Sequence, residues 1–261
     1  MNRILFEQNE LLPDGTVRLA DARAAHIRNV LAAGAGQVLQ VGMLNGLAGT
    51  GRVLAADPGT VRLAVTLDTE SPAPWIDLVL AVPRPKVLKR LWAQLAALGV
   101  GRIVLINAAR VEREYFATHW IREAHRRPLL IEGLTQAGTT HLPTVSVERR
   151  FRPYVEDRMD AEFPGALRLV AHPGSAGEDL FAVAAGGRRI LLAVGPEGGW
   201  TPFEIALLAQ HGFAQFALGG RTLRTDTACV ALLAVLGARQ GWHAVAGKKQ
   251  QDNRNGVELA S

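Results

Sequence analysis

The chain has 261 residues, 48% of them hydrophobic, with 29 Lys+Arg against 24 Asp+Glu and a formal net charge of +5. That length and hydrophobicity fit one large domain or two modest ones with a true core, and no apolar run approaches the roughly 18 residues a membrane helix needs. A single cysteine, Cys229, excludes an intramolecular disulfide framework and any multi-cysteine zinc site, and its neighbours mark it as apolar filler.

The opening "MNRILFEQNE" carries charge where a signal peptide would place its apolar segment, which predicts a cytoplasmic protein. Short strands are predicted over Met1 to Thr69, at "RILF", "GTVRL", "GQVLQVGML", "LAGTGRVLAA" and "TVRLAVTL". Turns such as Pro13-Asp14-Gly15 and Asp57-Pro58-Gly59 separate them. One helix interrupts at Asp21 to Leu31, with Ala24, Ile27, Val30 and Leu31 on its inward face. Residues 1–70 therefore read as a small β-barrel with one helix, followed by a stiff linker at "SPAPW".

From Ile76 onward strands and helices alternate. "IDLVLAV" is a strand buried on both faces. "KVLKRLWAQLAAL" is an amphipathic helix that Gly99 ends, and "RIVLIN" is the next strand. Further strands are expected at "TVSV", "LRLVAH", "ILLAV" and "QFAL", with helices near 119–136, 177–185, 202–211 and 226–239. Such alternation predicts an α/β domain over 76–245, built on a largely parallel sheet covered on both faces. The polar tail 247–261 is predicted to be disordered.

Two strand-to-helix loops stand out, and in a parallel sheet such loops build the ligand site. "GPEGGW" leads into a helix with Thr201 as N-cap, Pro202 at the first position and Glu204 closing a capping box. Gly195, Gly198 and Gly199 let backbone approach a ligand; a tight turn explains the glycines but not Glu197 between them. "LGGRTLRTDTA" places Arg221 and Arg224 at a helix N-terminus, where the dipole disfavours cations, so they point to an anionic ligand. Thr225 or Asp226 is positioned to cap that helix. Neither a G-x-G-x-x-G fingerprint nor a P-loop is present, which excludes an ordinary Rossmann or P-loop enzyme. The seven histidines are scattered without metal-ligand spacing, so no metal is expected.

"GPEGG", an amphipathic helix, "LGGRTLRTDTA" and a final apolar helix resemble the C-terminal half of the SPOUT superfamily. Within it the likeness is to the RsmE-type 16S rRNA (uracil-N3) methyltransferases, through Leu218, Gly219, Arg221, Leu223, Arg224, Asp226, Thr227 and Ala228. Gly220, Asp226 and Ala97 depart from residues common in that family. The resemblance implies an N-terminal PUA-like RNA-binding β-barrel, a C-terminal trefoil knot and a homodimer. It also implies S-adenosyl-L-methionine held by His172, Gly195, Glu197, Gly198, Gly199, Leu218, Gly219, Leu223, Arg224 and Thr227. The implied reaction is methylation of a uridine N3 in 16S rRNA of the small ribosomal subunit, near the decoding centre.

That chemistry needs alignment, stabilisation of a uracil anion and a proton acceptor. Arg224 is the candidate for the second task. Glu197 and Asp226 are candidates for accepting the proton or orienting Arg224, and Asp226 reads equally as a helix cap. Because N3 lies on the Watson–Crick edge, the base must be unpaired. Arg84, Lys86, Arg110, Arg113 and Arg221 are the candidate RNA contacts on the loop edge, with His26 and Arg28 on the barrel helix. Two other readings are a non-catalytic RNA-binding assembly factor on the same scaffold and a phosphate-binding hydrolase. The second lacks a nucleophile or metal cluster in the sequence.

Overall fold

The computed structural model describes residues 3–172, 178–179 and 188–239. Its N-terminal part comprises β1 (Ile4–Phe6), β2 (Thr16–Leu19), α1 (Ala22–Asn29), β3 (Val38–Met43), β4 (Ala48–Asp57) and β5 (Thr60–Thr69). These strands form one sheet in the order β1-β3-β4-β5-β2, antiparallel except for the β1–β3 pair. Inward side chains alternate with exposed ones along β4, and Val17, Leu19, Ile27, Val41, Val53 and Leu63 fill the concave side. Bulges in the β4–β5 register, at Ala48/Gly49 and Val53/Ala55, go with the curl of the sheet.

The sheet is a half-barrel and does not close as the sequence predicts. Its would-be closing strands, β1 and β2, are only three and four residues long and do not pair. Arg3, just ahead of β1, instead donates its N–H to the carbonyl of Thr135 in the second half of the chain. Helix α1 also stops earlier than expected. Asp21 caps it, Ala24 and Ile27 are buried as predicted, but Val30 is 68% exposed and Leu31 lies outside the helix. Ala33 fills the inward place instead.

The second part holds β6 (Ile76–Ala81), α2 (Pro85–Ala97), β7 (Val100–Ile106), α3 (Glu123–Ala137) and β8 (Thr144–Glu148). It continues with α4 (Phe151–Asp157), α5 (Met159–Glu162), β9 (Leu167–Ala171), β10 (Glu178–Asp179) and β11 (Ile190–Val194). Then come α6 (Pro202–Gln210), β12 (Ala214–Ala217) and α7 (Thr225–Arg239). The strands order as β10-β12-β9-β11-β6-β7-β8, and every pair is parallel. Every residue of β6 and β11 is buried, which requires cover on both faces. Helix α2 packs on α3 and α7, while α4 packs on α5 and α6.

Glycine shapes two of these contacts. Gly99 takes φ +80° just past α2, as the left-handed residue that ends a helix must. Gly133 lets α3 lie directly on the backbone of α2 at Ala93. Polar ties join the two halves: Thr140 Oγ1 donates to the Gly46 carbonyl at 2.6 Å, and Asn45 Oδ1 accepts from Leu142 N at 2.9 Å. The sequence did not predict α4 and α5. Of the helix predicted near 177–185, only residues 178–179 are described, and they pair as a strand with β12. The tail 247–261 lies outside the described residues.

Candidate active site

Because all strands of the larger sheet run one way, the loops after β6, β7, β8, β9, β11 and β12 open on one edge. On that edge lies a cavity of about 290 Å³ over the ends of β9, β11 and β12. Ala171, Val194, Phe216 and Leu232 give it an apolar floor, and the two singled-out loops form its walls. His172, Gly195, Glu197, Gly198, Gly199, Leu218, Gly219, Arg221 and Leu223 all line it.

The "GPEGGW" wall is braced from the neighbouring loops. Glu197 accepts a hydrogen bond from Arg84 N at 3.2 Å, at the start of α2, where the helix dipole favours its charge. Arg110 Nη1 donates to the Gly198 carbonyl at 2.6 Å. The predicted capping box is present: Thr201 Oγ1 accepts from Glu204 N, and Thr201 N and Oγ1 donate to Glu204 Oε2 at 2.8 and 2.9 Å. The other carboxylate oxygen of Glu204 accepts from Ala109 N at 2.7 Å, so a side chain only 2% exposed is well supplied with donors. Trp200 is buried behind the wall, its ring 5.7 Å from that of Phe151. A methyl group on Gly195 would meet the Trp200 ring at 3.1 Å, so the wall backbone lies directly on the indole.

The second loop has no comparable braces among the described residues. Gly219 takes φ +69° and leads into an exposed stretch with Arg221 and Arg224. Arg221 lines the cavity, whereas Arg224 sits between two lining residues, Leu223 and Thr225, and is not itself part of the lining. Asp226 and Thr227 also lie off the cavity. Asp226 is the second residue of α7, and its carboxylate meets Arg90 Nη2 on α2 at 2.5 Å. That guanidinium holds the Asp226 carboxyl below its ordinary 3.8.

A depressed carboxyl stabilises the fold above the ordinary carboxylate pKa, and that contribution disappears as pH falls through the folded value. Asp226→Asn is therefore expected to lower Tm at pH 7, and the gap is expected to persist down to about pH 4 and close only as pH falls further, through the carboxyl's depressed folded value. Thermal melts across that range decide it, and a gap independent of pH would mean the Arg90 pair contributes nothing.

The remaining cations spread along the same edge. Arg84 and Lys86 open α2, Arg110 borders the cavity, and Arg113 follows after β7; all are exposed. His26 and Arg28 lie on α1, half-buried. Sequence reading did not assign the cavity floor. Its signal was the last residue or two of each strand, since Ala171, Val194 and Phe216 all sit there. Cys229 is fully buried, and burial pushes its thiol up to about 12, so it is inert at neutral pH. Among the described residues no group of three metal-ligating side chains occurs, and no helix is long and apolar enough to cross a membrane.

The cavity suits S-adenosylmethionine on its own chemistry. Its size is at the lower end for a small-molecule site, its floor is apolar enough for an adenine ring, and four glycines of the two loops, Gly195, Gly198, Gly199 and Gly219, line its walls with no side chain to hold a ligand off the backbone.

Comparison with known proteins agrees with this geometry. Residues 69–237 match the family model of the RNA methyltransferase domain. The chain is 33% identical over 247 residues to ribosomal RNA small subunit methyltransferase E of Treponema pallidum, covering 93% of each chain. It is 28% identical over 233 residues to the protein of that name from Synechocystis, covering 88% of this chain and 75% of the relative. A solved structure of ribosomal RNA small subunit methyltransferase E from Neisseria gonorrhoeae, bound to S-adenosyl methionine, superposes with a TM-score of 0.72 at 26% identity. That superposition covers 90% of this chain and 97% of the other. A parallel sheet with two glycine-bearing loops around one cavity, a matching domain over 69–237 and likeness along nearly the whole length lead to one placement: the chain belongs to the RNA methyltransferase family, alongside the small-subunit rRNA methyltransferases E.

Proposed function

We propose that the protein methylates N3 of a uridine in 16S rRNA of the small ribosomal subunit, using S-adenosylmethionine. The observation that carries this reading is the cavity over β9, β11 and β12, walled by both singled-out loops. His172, Gly195, Gly198, Gly199, Leu218, Gly219 and Leu223 would hold the cofactor, which supplies an electrophilic methyl on a sulfonium when bound. The protein's own residues orient the base, stabilise its anion and take the N3 proton. Arg224, exposed beside the cavity, donates to a uracil carbonyl oxygen. Glu197 is better placed than Asp226 to accept the proton. Only Arg84 N donates to Glu197 among the described residues, whereas Asp226 is engaged by Arg90, which holds its carboxyl below the ordinary range. Thr227, exposed on α7, has at most an indirect part in holding the cofactor.

The reading extends to a PUA-like role for the curled N-terminal sheet, with His26 and Arg28 on the RNA. It further includes RNA contacts by Arg84, Lys86, Arg110, Arg113 and Arg221, a trefoil knot formed by the cavity loops, a homodimer and a cytoplasmic location. Support comes from the likeness of the two loops to the family and from the cations along the loop edge. The test is transfer of labelled methyl to small subunits lacking native modification, with deproteinised 16S rRNA in parallel and the product read by nucleoside mass spectrometry. The expected product is 3-methyluridine. A different methylated nucleoside would reassign the target base, and failure to bind S-adenosylmethionine would favour the non-catalytic assembly factor.

A further inference from the structure

Beside the cofactor cavity, over the ends of β7 and β8, lies a second groove of about 360 Å³. The segment between β11 and α6 separates the two: Trp200 lines the first and packs on Phe151, which lines the second. Arginines dominate the groove. Arg149 and Arg150 follow β8 directly, Arg152 is in the first turn of α4, and Arg113 comes from the loop after β7. Arg152 is paired with Glu156 at 2.8 Å. Arg113, Arg149 and Arg150 form no ion pair among the described residues; Arg149 instead lies over the Phe116 ring, 5.5 Å from its centroid. The lining contains one carboxylate, Glu204, and it is already spent on Thr201 and Ala109. Phe203, 55% exposed at the start of α6, also lines the groove.

An exposed aromatic ring in one groove with several guanidinium groups that form no ion pair is the composition of a single-strand nucleic-acid site. Phosphates take the cations, bases stack on the ring, and arginine planes add further stacking. A duplex would hide its base faces from Phe203.

We infer that this groove holds a nucleotide flanking the target uridine in single-stranded RNA, with Arg113 and Arg150 on phosphates and Phe203 under a base. The inference rests on the methyltransferase reading for the identity of the target base, though not for RNA binding itself. The groove shares its loop edge with the cofactor cavity, so a strand crossing both would have one unpaired base at the cavity and its neighbour stacked outside.

The test compares the full chain with Arg113→Ala/Arg150→Ala, Phe203→Ala and Phe203→Tyr. The probe is a fluorescein-labelled single-stranded oligouridylate of twelve residues, titrated over a range of KCl concentrations. Removing two phosphate contacts is expected to make the slope of log affinity against log salt shallower by about 1.4. Phe203→Ala is expected to weaken binding by about 5- to 160-fold through lost stacking, while Phe203→Tyr retains it. Affinity for S-adenosylmethionine and Tm, measured on the same samples, are expected to stay at the parent values. Equal affinity and slope in all four proteins, or no RNA affinity in any, overturns the groove. Weaker binding to assembled small subunits with unchanged oligouridylate binding also overturns it and assigns the surface to a protein partner. RNA binding that depends on the groove, in a protein that forms no 3-methyluridine, sinks the catalytic reading and leaves the groove standing.

Discussion

Arg224→Ala is expected to lower kcat for methyl transfer by about 10²- to 10³-fold, the usual loss when one preorganised donor to a developing oxyanion is removed. Leu223 and Thr225 turn into the cofactor cavity, and Arg224, between them, does not. Its exposed guanidinium has no ion-pair partner among the described residues, and it sits where α7 begins, close to the cavity mouth. A cation placed against the helix dipole, without a carboxylate to hold it, has its reason for being there in something that arrives from solvent. Removing it therefore takes away substrate stabilisation and leaves the cofactor walls intact. Calorimetric titration should give S-adenosylmethionine affinity within severalfold of the parent, while single-turnover transfer collapses. Unchanged turnover would remove Arg224 from the reaction, and collapse of cofactor affinity would move it into the cavity wall.

Gly133→Ala is expected to destabilise the fold by about 3 kcal/mol, against the sign that helix propensity alone would give. Alanine is favoured over glycine in a helix interior by about 1 kcal/mol. Here the added methyl would sit 2.1 Å from the carbonyl oxygen of Ala93 and 2.9 Å from its Cα. Those are backbone atoms of α2, so no side chain can rotate aside and the two helices must separate. For a chain of this length the loss corresponds to a fall in Tm of very roughly 6–12 °C. Gly138→Ala is the control: it caps the C-terminus of α3 at φ +70°, and nothing lies within 4 Å of its added methyl. Its cost is confined to backbone strain of about 1–2 kcal/mol. If both variants melt alike, the close contact between α2 and α3 is not what Gly133 provides.

Much of this could be read before any coordinates. Alternation of apolar strands and amphipathic helices from Ile76 placed the parallel sheet, since a strand buried on both faces needs helices on either side. Capping chemistry located the start of α6 to the residue, because Thr201, Pro202 and Glu204 each have a distinct role there. Tertiary partners were not legible. Nothing in the local sequence says that Glu204 reaches Ala109, that Arg110 reaches Gly198, or that Arg90 claims Asp226, because each pair is separated by some ninety residues or more. The short helices α4 and α5 escaped for a local reason: Pro153 and six charged residues in the twelve of 151–162 leave too little apolar periodicity to register. The half-barrel was misread as closed because strand count alone does not show whether edge strands are long enough to meet.

The two walls of the cofactor cavity differ in how much of their order exists before a ligand arrives. On the "GPEGGW" side, Glu197, Arg110 and Glu204 each fasten a loop to a neighbour, so the entropy lost in fixing that wall is lost when the chain folds. The 218–224 side, with two exposed glycines and no such fastenings among the described residues, loses its freedom only when something binds against it. Cofactor association should then split into two parts: a rigid receptor that sets which molecule fits, and an ordering wall that makes the bound enthalpy larger than the affinity suggests.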